Sequence, residues 1–334
     1  SLFFLYRPCY DPNPPRNGDT GQRRIMTGIF WINPLIAFCT GILLSFLLRK
    51  LTARIQSRRG PLVSIPPAWR DIDRTKIFQP LYDILKLFSK DTFIPEKASP
   101  LFIIGPVMAL VCVALATLFV PIAGISFDYS FGLVVLVYLL MGEILCVIVG
   151  GITSGSLFAV IGGVREIELM LTNEIPFILG TFALAISYDS LSIEDMMGFN
   201  LLLNPFAAIV VFLSILVKLH IKPFDISDAE SEIVSGLTTE YSGKLLGVLE
   251  ATRLMLIFVL VALFADLFLW VPSSGFMAWV VFFAGVGVTT AMIAVVHSLF
   301  GRFRIDQATR WLLRVPLALS VIAVVWAAAG RYVL

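Results

Sequence analysis

Eight apolar segments, each long enough to cross a bilayer as a helix, recur along this 334-residue chain. A spanning helix needs about 20 apolar residues, and lipid offers no partner to free backbone N–H and C=O groups. The segments therefore predict an all-α integral membrane protein. Hydrophobic residues make up 58% of the chain, which is above the roughly 45–50% of soluble domains. The predicted spans cover residues 26–48, 100–121, 130–151, 156–188, 201–220, 245–270, 276–300 and 311–333.

These spans predict one membrane domain of eight helices at residues 26–334, preceded by an irregular N-terminal arm at residues 1–25. The only apolar run of the arm is short and precedes its charged residues, which is not the pattern of a signal peptide. The fourth span is longer than a bilayer requires. We expect it to be tilted, broken at Pro176 or extended beyond the membrane.

The distribution of Lys and Arg between the loops predicts the orientation of the chain, because cytoplasmic loops carry an excess of both. The loop at 49–99 holds eleven Lys or Arg, whereas the loops at 122–129, 189–200 and 271–275 contain none. We therefore expect the chain to lie in the inner (cytoplasmic) cell membrane with both termini outside. The loops expected to face the cytoplasm are 49–99, 218–246 and 300–311.

The sequence carries no signature of a metal, cluster or nucleotide site. Its four cysteines (Cys9, Cys39, Cys112 and Cys146) form no CxxC pair, which iron–sulfur and zinc sites commonly use. There is no GxGxxG sequence after a strand and no Walker sequence. We expect no catalytic residue, metal or cofactor in this chain itself, a lipid bilayer around it, and no nucleic-acid partner.

The loop at 49–99 contains an amphipathic pattern. Its apolar residues recur at helical spacing (Ile77, Leu81, Ile84, Leu85 and Phe88), and its polar residues take the other side (Asp83, Lys86 and Lys90). This pattern predicts a helix at the membrane interface. One interpretation is a solvated positive loop with a single surface helix. The other is a docking surface for a soluble partner, which the turn sequences RRGP and QP around a cluster of charge favour.

A carboxylate-rich stretch, residues 218–243, separates the fifth and sixth spans. Five acidic residues fall within sixteen positions: Asp225, Asp228, Glu230, Glu232 and Glu240. A linker that only joins two helices needs a few turn residues and no such density of charge. Lys218 and His220 lie at the end of the preceding span, and Pro223 prevents that helix from continuing.

Ionisable residues also lie inside the predicted spans: Glu143, Arg165, Glu166, Glu168, Glu174, Glu250, Arg253, Asp266 and His297. A charge at membrane depth costs at least about 2.5–3.5 kcal/mol on insertion scales, so it usually faces a partner or a wet cavity. Arg165 is a candidate counter-ion for Glu168 or Glu143, and His297 is a candidate proton shuttle. Each of these residues, taken alone, could equally belong to a neutralised structural ion pair or to an ion route. The set favours a route for H⁺ or Na⁺, because carboxyl groups can gain and lose protons.

An ordered set of motifs covers residues 30–330. The motifs are Arg59-Gly60-Pro61, Gln79-Pro80 with Asp83 and Lys86, Asn173-Glu174-Ile175-Pro176, Pro223-Phe224-Asp225, Ala229-Glu230-Ser231-Glu232, Glu240-Tyr241-Ser242-Gly243 and Arg302-Phe303-Arg304-Ile305-Asp306-Gln307. Together with the eight spans, they resemble the H-type membrane subunit of the complex I superfamily. That superfamily includes respiratory NADH:quinone oxidoreductase and the energy-converting membrane-bound [NiFe] hydrogenases.

The resemblance implies a subunit of an oxidoreductase complex whose [NiFe] and iron–sulfur centres lie in partner subunits. The implied partners are hydrogenase large- and small-like and ferredoxin-like soluble subunits, and antiporter-like membrane subunits. The implied docking or quinone-site loop residues are Arg58, Arg59, Gln79, Asp83, Lys86, Arg302, Arg304 and Asp306. The implied ion-coupling carboxylates are Glu143, Glu174, Asp225, Asp228, Glu230, Glu232, Glu240 and Glu250, with supporting charges at Arg165, Glu166, Glu168, Arg253 and His297.

Two branches of this superfamily remain open. The run at 154–162 followed by Arg165-Glu166 resembles the hydrogenase-type subunits. The sequence Leu62-Val63-Ser64 stands where the quinone-reducing branch usually continues its GPNRVG sequence, and the spacer at 62–78 is longer than either branch leads us to expect. These features favour a membrane-bound hydrogenase-type complex, with the quinone-site subunit of NADH:quinone oxidoreductase as the alternative. A stand-alone transporter would call for internal repeats, and an inert anchor would leave the buried carboxylates without a role.

Overall fold

The computed structural model describes residues 30–58, 60, 78–125, 127, 129–227, 234–269 and 275–333. The arm at 1–25 and nearly all of the spacer at 62–78 lie outside these described residues, as do Arg59, Asp228, Glu230 and Glu232. The predictions that fall on them stay predictions.

The described chain forms eleven α-helices and no named β-strand, which confirms the all-α class. The helices are α1 (Asn33–Ile55), α2 (Gln79–Phe88), α3 (Leu101–Phe119), α4 (Gly132–Ile152), α5 (Leu157–Tyr188), α6 (Ile193–Met196), α7 (Asn200–Leu203), α8 (Pro205–Lys218), α9 (Gly243–Phe268), α10 (Phe276–Leu299) and α11 (Ile305–Val333). Short 3₁₀ helices lie at Phe30–Ile32 and Gly236–Thr238.

Seven helices in the described part of the chain are long and apolar enough to cross a membrane, and α8 is a shorter apolar helix. The prediction of one span at 201–220 is wrong at its start. Asn204 interrupts the helix, because its side-chain oxygen accepts from the Ala207 N–H at 3.2 Å and its amide donates to the Ala323 carbonyl at 3.1 Å. The remaining 14 residues extend about 21 Å, which is less than the roughly 30 Å of a hydrocarbon core.

α5 continues through Pro176 as one helix of 32 residues. Of the three alternatives for this span, the break at Pro176 therefore does not occur. At 1.5 Å per residue the helix is about 48 Å long, which leaves tilt or extension beyond the membrane. The first predicted span, 26–48, differs from α1 at both ends, and the last, 311–333, differs from α11 at its start. α1 continues past Arg49 and Lys50, whose long stems can carry their charges away from apolar surroundings. α11 begins before Trp311 and has Asp306 in its first turn. A carboxylate at this position interacts favourably with the helix dipole.

Hydrogen bonds between helix ends define two faces of the bundle. On one face, here called the basic face, Ser99 donates to Thr153, Tyr241 to Phe102 and Phe303 to Pro223. On the opposite face, Leu133 donates to Leu191, Asn200 to Leu267 and Trp326 to Leu203. The described parts of the loops rich in Lys and Arg and of the carboxylate-rich stretch therefore share one face, as predicted from sequence.

The bundle has two packing centres. α9 packs against α1, α2, α3 and α10, and α5 packs against α4, α8 and α11. α2 confirms the predicted amphipathic helix: Ile84 packs against Ile42 of α1 and Leu254 of α9, whereas Leu85 is 55% exposed. α2 therefore lies across α1 and α9 and keeps an exposed side.

Candidate functional site

α8 ends in a lysine that is buried against α5. Lys218 donates to the Glu174 carboxylate in an ion pair whose side chains are only 6% and 8% exposed. The ammonium nitrogen also lies 4.8 Å from the centre of the Phe177 ring, within the range of a cation–π contact. Asn173 donates its side-chain N–H to the Ser214 carbonyl at 3.2 Å. This bond fixes α5 against α8 beside the ion pair.

The turn after α8 places a histidine against α5. The His220 N–H donates to the Val217 carbonyl and the Ile221 N–H to the Leu216 carbonyl, both at 3.0 Å. This is the Schellman pattern of a helix C-terminus, and His220 occupies its left-handed position with φ 52°. Glycine usually takes this position. Here the imidazole is directed to Glu166, with 2.8 Å between Nε2 and Oε2.

Glu143 brings α4 into the same site. Its side chain is buried, and it interacts electrostatically with His220, Lys218 and Glu166. Three transmembrane carboxylates therefore interact with one lysine and one histidine from the start of the carboxylate-rich stretch. We call this group the charge cluster: Glu143, Glu166, Glu174, Lys218 and His220.

The composition of the charge cluster suits proton exchange. Carboxylates and imidazole can each accept and release a proton, and an imidazole can take a proton on one nitrogen while it releases one from the other. Lys218 and Glu174 form a buried ion pair. A proton gained or lost by a neighbouring group therefore changes the electrostatic energy of that pair. Buried ion pairs offer little net stability, which makes a purely structural reason for this arrangement weak.

The other predicted ionisable residues lie outside the charge cluster. Glu168 is exposed on α5. Glu250 and Arg253 pair at 3.8 Å with side chains 43% and 44% exposed, and Arg253 also interacts electrostatically with Glu143. His297 interacts with Lys222 and Asp225 at the basic face. Asp266 is fully buried toward the opposite face, and neither carboxyl oxygen has a hydrogen-bond partner among the described residues.

Sequence reasoning missed Lys218 and His220 as site residues, because it treated them only as the polar end of an apolar run. The available signal was the sequence KLHIK directly before Pro223. Charged residues at the end of a span can be directed inward when the next residues leave the helix.

The carboxylate-rich stretch is fixed at its N-terminal side by the loop between α10 and α11. Arg302 donates to Asp225 at 2.9 Å, and the Phe303 N–H donates to the Pro223 carbonyl at 2.9 Å. Phe224 packs against the rings of Phe303 and Trp311. Arg302 therefore contacts this chain's own acidic stretch. The remaining predicted docking residues are half-buried (Gln79) or exposed (Arg58, Asp83, Lys86, Arg304 and Asp306).

The C-terminal side of the stretch is fixed by the sequence Tyr241-Ser242-Gly243. The Tyr241 ring stacks on Phe102, with centroids 4.3 Å apart, and Ser242 accepts from the Phe93 N–H at 3.0 Å. Gly243 has φ 54°, and a Cβ there would clash with the Asp91 carbonyl. Both ends of the stretch are thus attached to the bundle. Glu240, the predicted coupling carboxylate beside Tyr241, is half-buried.

The Tyr241 hydroxyl satisfies a carbonyl that a proline leaves free. Pro106 has no N–H to donate to the carbonyl four residues earlier, which is that of Phe102, and Tyr241 donates to it at 3.1 Å. Burial raises the pKa of Tyr241, so the donor stays protonated throughout the neutral range. We expect Tyr241→Phe to lower the free energy of unfolding by about 1–3 kcal/mol, measured by thermal unfolding of the purified protein.

A matched background tests the reason for this loss. In Pro106→Ala, the new N–H can donate to the Phe102 carbonyl, so adding Tyr241→Phe is expected to cost clearly less than in the parent. Equal losses in both backgrounds would show that the Tyr241 hydroxyl stabilises the protein for a reason other than the carbonyl that Pro106 leaves free.

The described residues contain no group of three or more His, Cys, Asp or Glu side chains that could hold a metal ion.

Comparisons with known proteins agree in family and in fold. The family model described as NADH dehydrogenase matches residues 28–328. The chain is 27% identical over 327 residues to the H-type subunit of NADH-quinone oxidoreductase from Geobacillus thermodenitrificans, covering 88% of this chain and 94% of that protein. It is 29% identical over 321 residues to the protein of the same name from Bacillus thuringiensis, covering 87% and 93%.

A solved structure shares the fold. It is a chain from the membrane-bound sulfane sulfur reductase, an archaeal respiratory membrane complex, with a TM-score of 0.78 and 26% sequence identity. The match covers 89% of this chain and 99% of that one. The fold described above is therefore shared with a chain of a respiratory membrane complex.

Proposed function

Because this chain belongs to the NADH dehydrogenase family of membrane subunits, we propose that it couples electron transfer in a soluble arm to ion movement through its charge cluster. It is a complex I-type membrane subunit of an oxidoreductase complex. On this proposal, the soluble redox subunits bind the basic face, which lies in the cytoplasm, and antiporter-like membrane subunits receive the ion signal. The redox centres belong to those partners.

The observation that carries the proposal is the burial of the charge cluster at the start of the carboxylate-rich stretch. Lys218 and His220 belong to that stretch and contact Glu174 and Glu166 of α5. A charge inside a membrane bundle is costly unless it is paired, and an anchor could use apolar residues at all five positions. The pairing connects a surface stretch to carboxylates between the helices.

We propose an electrostatic mechanism. A change of charge at a partner's redox centre alters the protonation of the carboxylates in the stretch. The two ends of the stretch are attached to the bundle through Asp225 and Tyr241. The change in protonation alters how Lys218 and His220 share their charge with Glu174 and Glu166. Glu166 then exchanges a proton with Glu143, and the ion moves inward from there. Asp228, Glu230 and Glu232 are proposed as the first carboxylates of this path.

Glu143→Gln tests the coupling function. We expect the ions transported per electron to fall by about tenfold, less than the 10²–10⁴ of a complete general acid–base group, because Glu166 and Glu174 remain. The measurement is ion uptake and redox turnover of the complex in sealed vesicles. Asp266→Asn is the matched control, because it replaces a fully buried carboxyl outside the charge cluster and is expected to keep the parent ratio. An unchanged ratio in Glu143→Gln would make the chain an anchor only.

Within the family, we propose the hydrogenase-type branch. The run at 154–162 with Arg165-Glu166, and the departure from the quinone-branch sequence after Gly60-Pro61, support it. The second candidate is the quinone-site subunit of NADH:quinone oxidoreductase, which the names of the Geobacillus and Bacillus relatives favour.

Purification of the complex through a tag on this chain separates the branches. Recovery of a [NiFe] subunit with hydrogen evolution would support the first. Recovery of NADH-oxidising subunits with quinone reductase activity would support the second. Recovery of the chain alone would contradict both.

A further inference from the structure

Two cysteines from neighbouring helices lie at the contact between α3 and α4. Cys112 lies on α3 and Cys146 on α4, and their thiols share a side-chain hydrogen bond. The two helices approach closely because they carry glycines: a Cβ on Gly142 would lie 3.6 Å from the Cys112 sulfur, and a Cβ on Gly105 would lie 2.7 Å from the Cys146 carbonyl oxygen. The Cys112 sulfur therefore lies against α4 at Gly142, one helical turn before Cys146.

The thiol pair can be reached from the apolar surface. Both cysteines are free and half-exposed. Their neighbours Val111 and Leu145 are exposed apolar residues, at 41% and 37%. A ligand at this place must therefore enter and bind without carrying a charge through apolar surroundings, since burying an unpaired ion costs several kcal/mol or more.

We propose that Cys112 and Cys146 form a dithiol site for trivalent arsenic between α3 and α4. Arsenous acid, As(OH)₃, is neutral and reacts with two neutral thiols to give (RS)₂As–OH and two water molecules. Two As–O bonds break and two As–S bonds form, the thiol protons leave in the water, and arsenic keeps its oxidation state. Reactants and product are all uncharged, which suits this surface. Divalent soft metal ions would instead have to enter as cations and displace two protons.

Arsenic bound to Cys112 and Cys146 would lie close to Glu143 of the charge cluster. Glu143 lies one helical turn before Cys146 on α4 and interacts electrostatically with both thiols. A bridge between Cys112 and Cys146 would join α3 to α4 beside this carboxylate and restrain its movement. We therefore expect bound arsenic to inhibit ion transport. This second step rests on the proposed function, whereas binding does not.

The test uses phenylarsine oxide on the complete complex in membrane vesicles. Mass spectrometry of this chain is expected to show one phenylarsenic group bridging the peptides that contain Cys112 and Cys146. Joining two thiols raises affinity over one thiol by about 10²–10⁴. Cys112→Ser, Cys112→Ala and Cys146→Ser should therefore each raise the reagent concentration for half-modification by at least about 10²-fold. The dithiol 2,3-dimercaptopropanol should reverse the modification, and 2-mercaptoethanol should not.

Cys39→Ser is the matched control, because Cys39 is a free cysteine exposed on α1, and it should leave the bridged adduct unchanged. An adduct that persists in the Cys112 and Cys146 variants would overturn the site. If the adduct forms and transport continues, while Glu143→Gln still uncouples the complex, the restraint on Glu143 is wrong and the site stands. If the adduct forms and neither treatment changes coupling, the proposed function fails and the site stands.

Discussion

Lys218→Met is expected to lower the free energy of unfolding by about 3–5 kcal/mol, because it leaves the Glu174 carboxylate buried without its counter-charge. Both side chains of this pair are less than a tenth exposed, so water cannot replace the lysine. The Phe177 ring also loses the ammonium group that lies over it. Thermal unfolding of the purified protein, monitored by the circular dichroism signal of its helices, measures the loss.

Two further variants separate the charge from the packing. Adding Glu174→Gln to Lys218→Met removes the unpaired charge, so the double variant should recover most of the stability, as buried pairs replaced by neutral residues often do. Arg253→Met breaks an ion pair that is more than 40% exposed on both sides, and it should cost at most about 1 kcal/mol. A loss in Lys218→Met as small as that in Arg253→Met would contradict a dry, strongly coupled pair.

Much of the fold follows from sequence because lipid imposes one dominant rule on the chain. Backbone groups must be satisfied within each segment, so long apolar runs predict helices, and seven of the eight predicted spans correspond to helices long enough to cross. The exception is α8. Its late start depends on Asn204, whose amide bonds to Ala323 far along the chain. Apolar periodicity carries no information about such a tertiary contact.

In the candidate site, too, some residues could be predicted from the sequence and others depend on tertiary contacts. Glu143 and Glu174 could be selected from sequence, since carboxylates are rare and costly in apolar spans. Lys218 and His220 could not be assigned, because each takes its place through a helix end and a partner on α5. Asp266 shows the reverse case. It has the same sequence character as Glu143, yet it lies toward the opposite face, because its position on α9 is set by distance along that helix.

Tyr241 shows why a motif can be recognised before its reason is known. The sequence Glu240-Tyr241-Ser242-Gly243 drew attention to its carboxylate, whereas the structure gives the next three residues the defined contacts. The link to Pro106 joins residues from two distant parts of the chain. It appears only when the carbonyl freed by the proline and the tyrosine hydroxyl are seen together.

His220 is expected to have the largest effect on transport, because it contacts Glu166 directly and interacts with Glu143. We expect His220→Asn to lower the ions transported per electron by about 10²-fold, the lower end of the range for a group that transfers protons. Asparagine tolerates the left-handed backbone that His220 adopts, so the Schellman turn should persist. Ion uptake and redox turnover in sealed vesicles give the ratio.

A second substitution at this position distinguishes proton transfer from folding. His220→Leu removes the imidazole and also places a residue that disfavours positive φ at 52°, which costs about 1–2 kcal/mol. We expect both variants to lose transport equally and only the leucine variant to lose stability. The opposite result would be a loss of transport only in the less stable leucine variant, with the asparagine variant close to the parent. The role of His220 would then be to end α8 in its Schellman turn. The path from the carboxylate-rich stretch to Glu143 would then have to pass through Lys218 and Glu174.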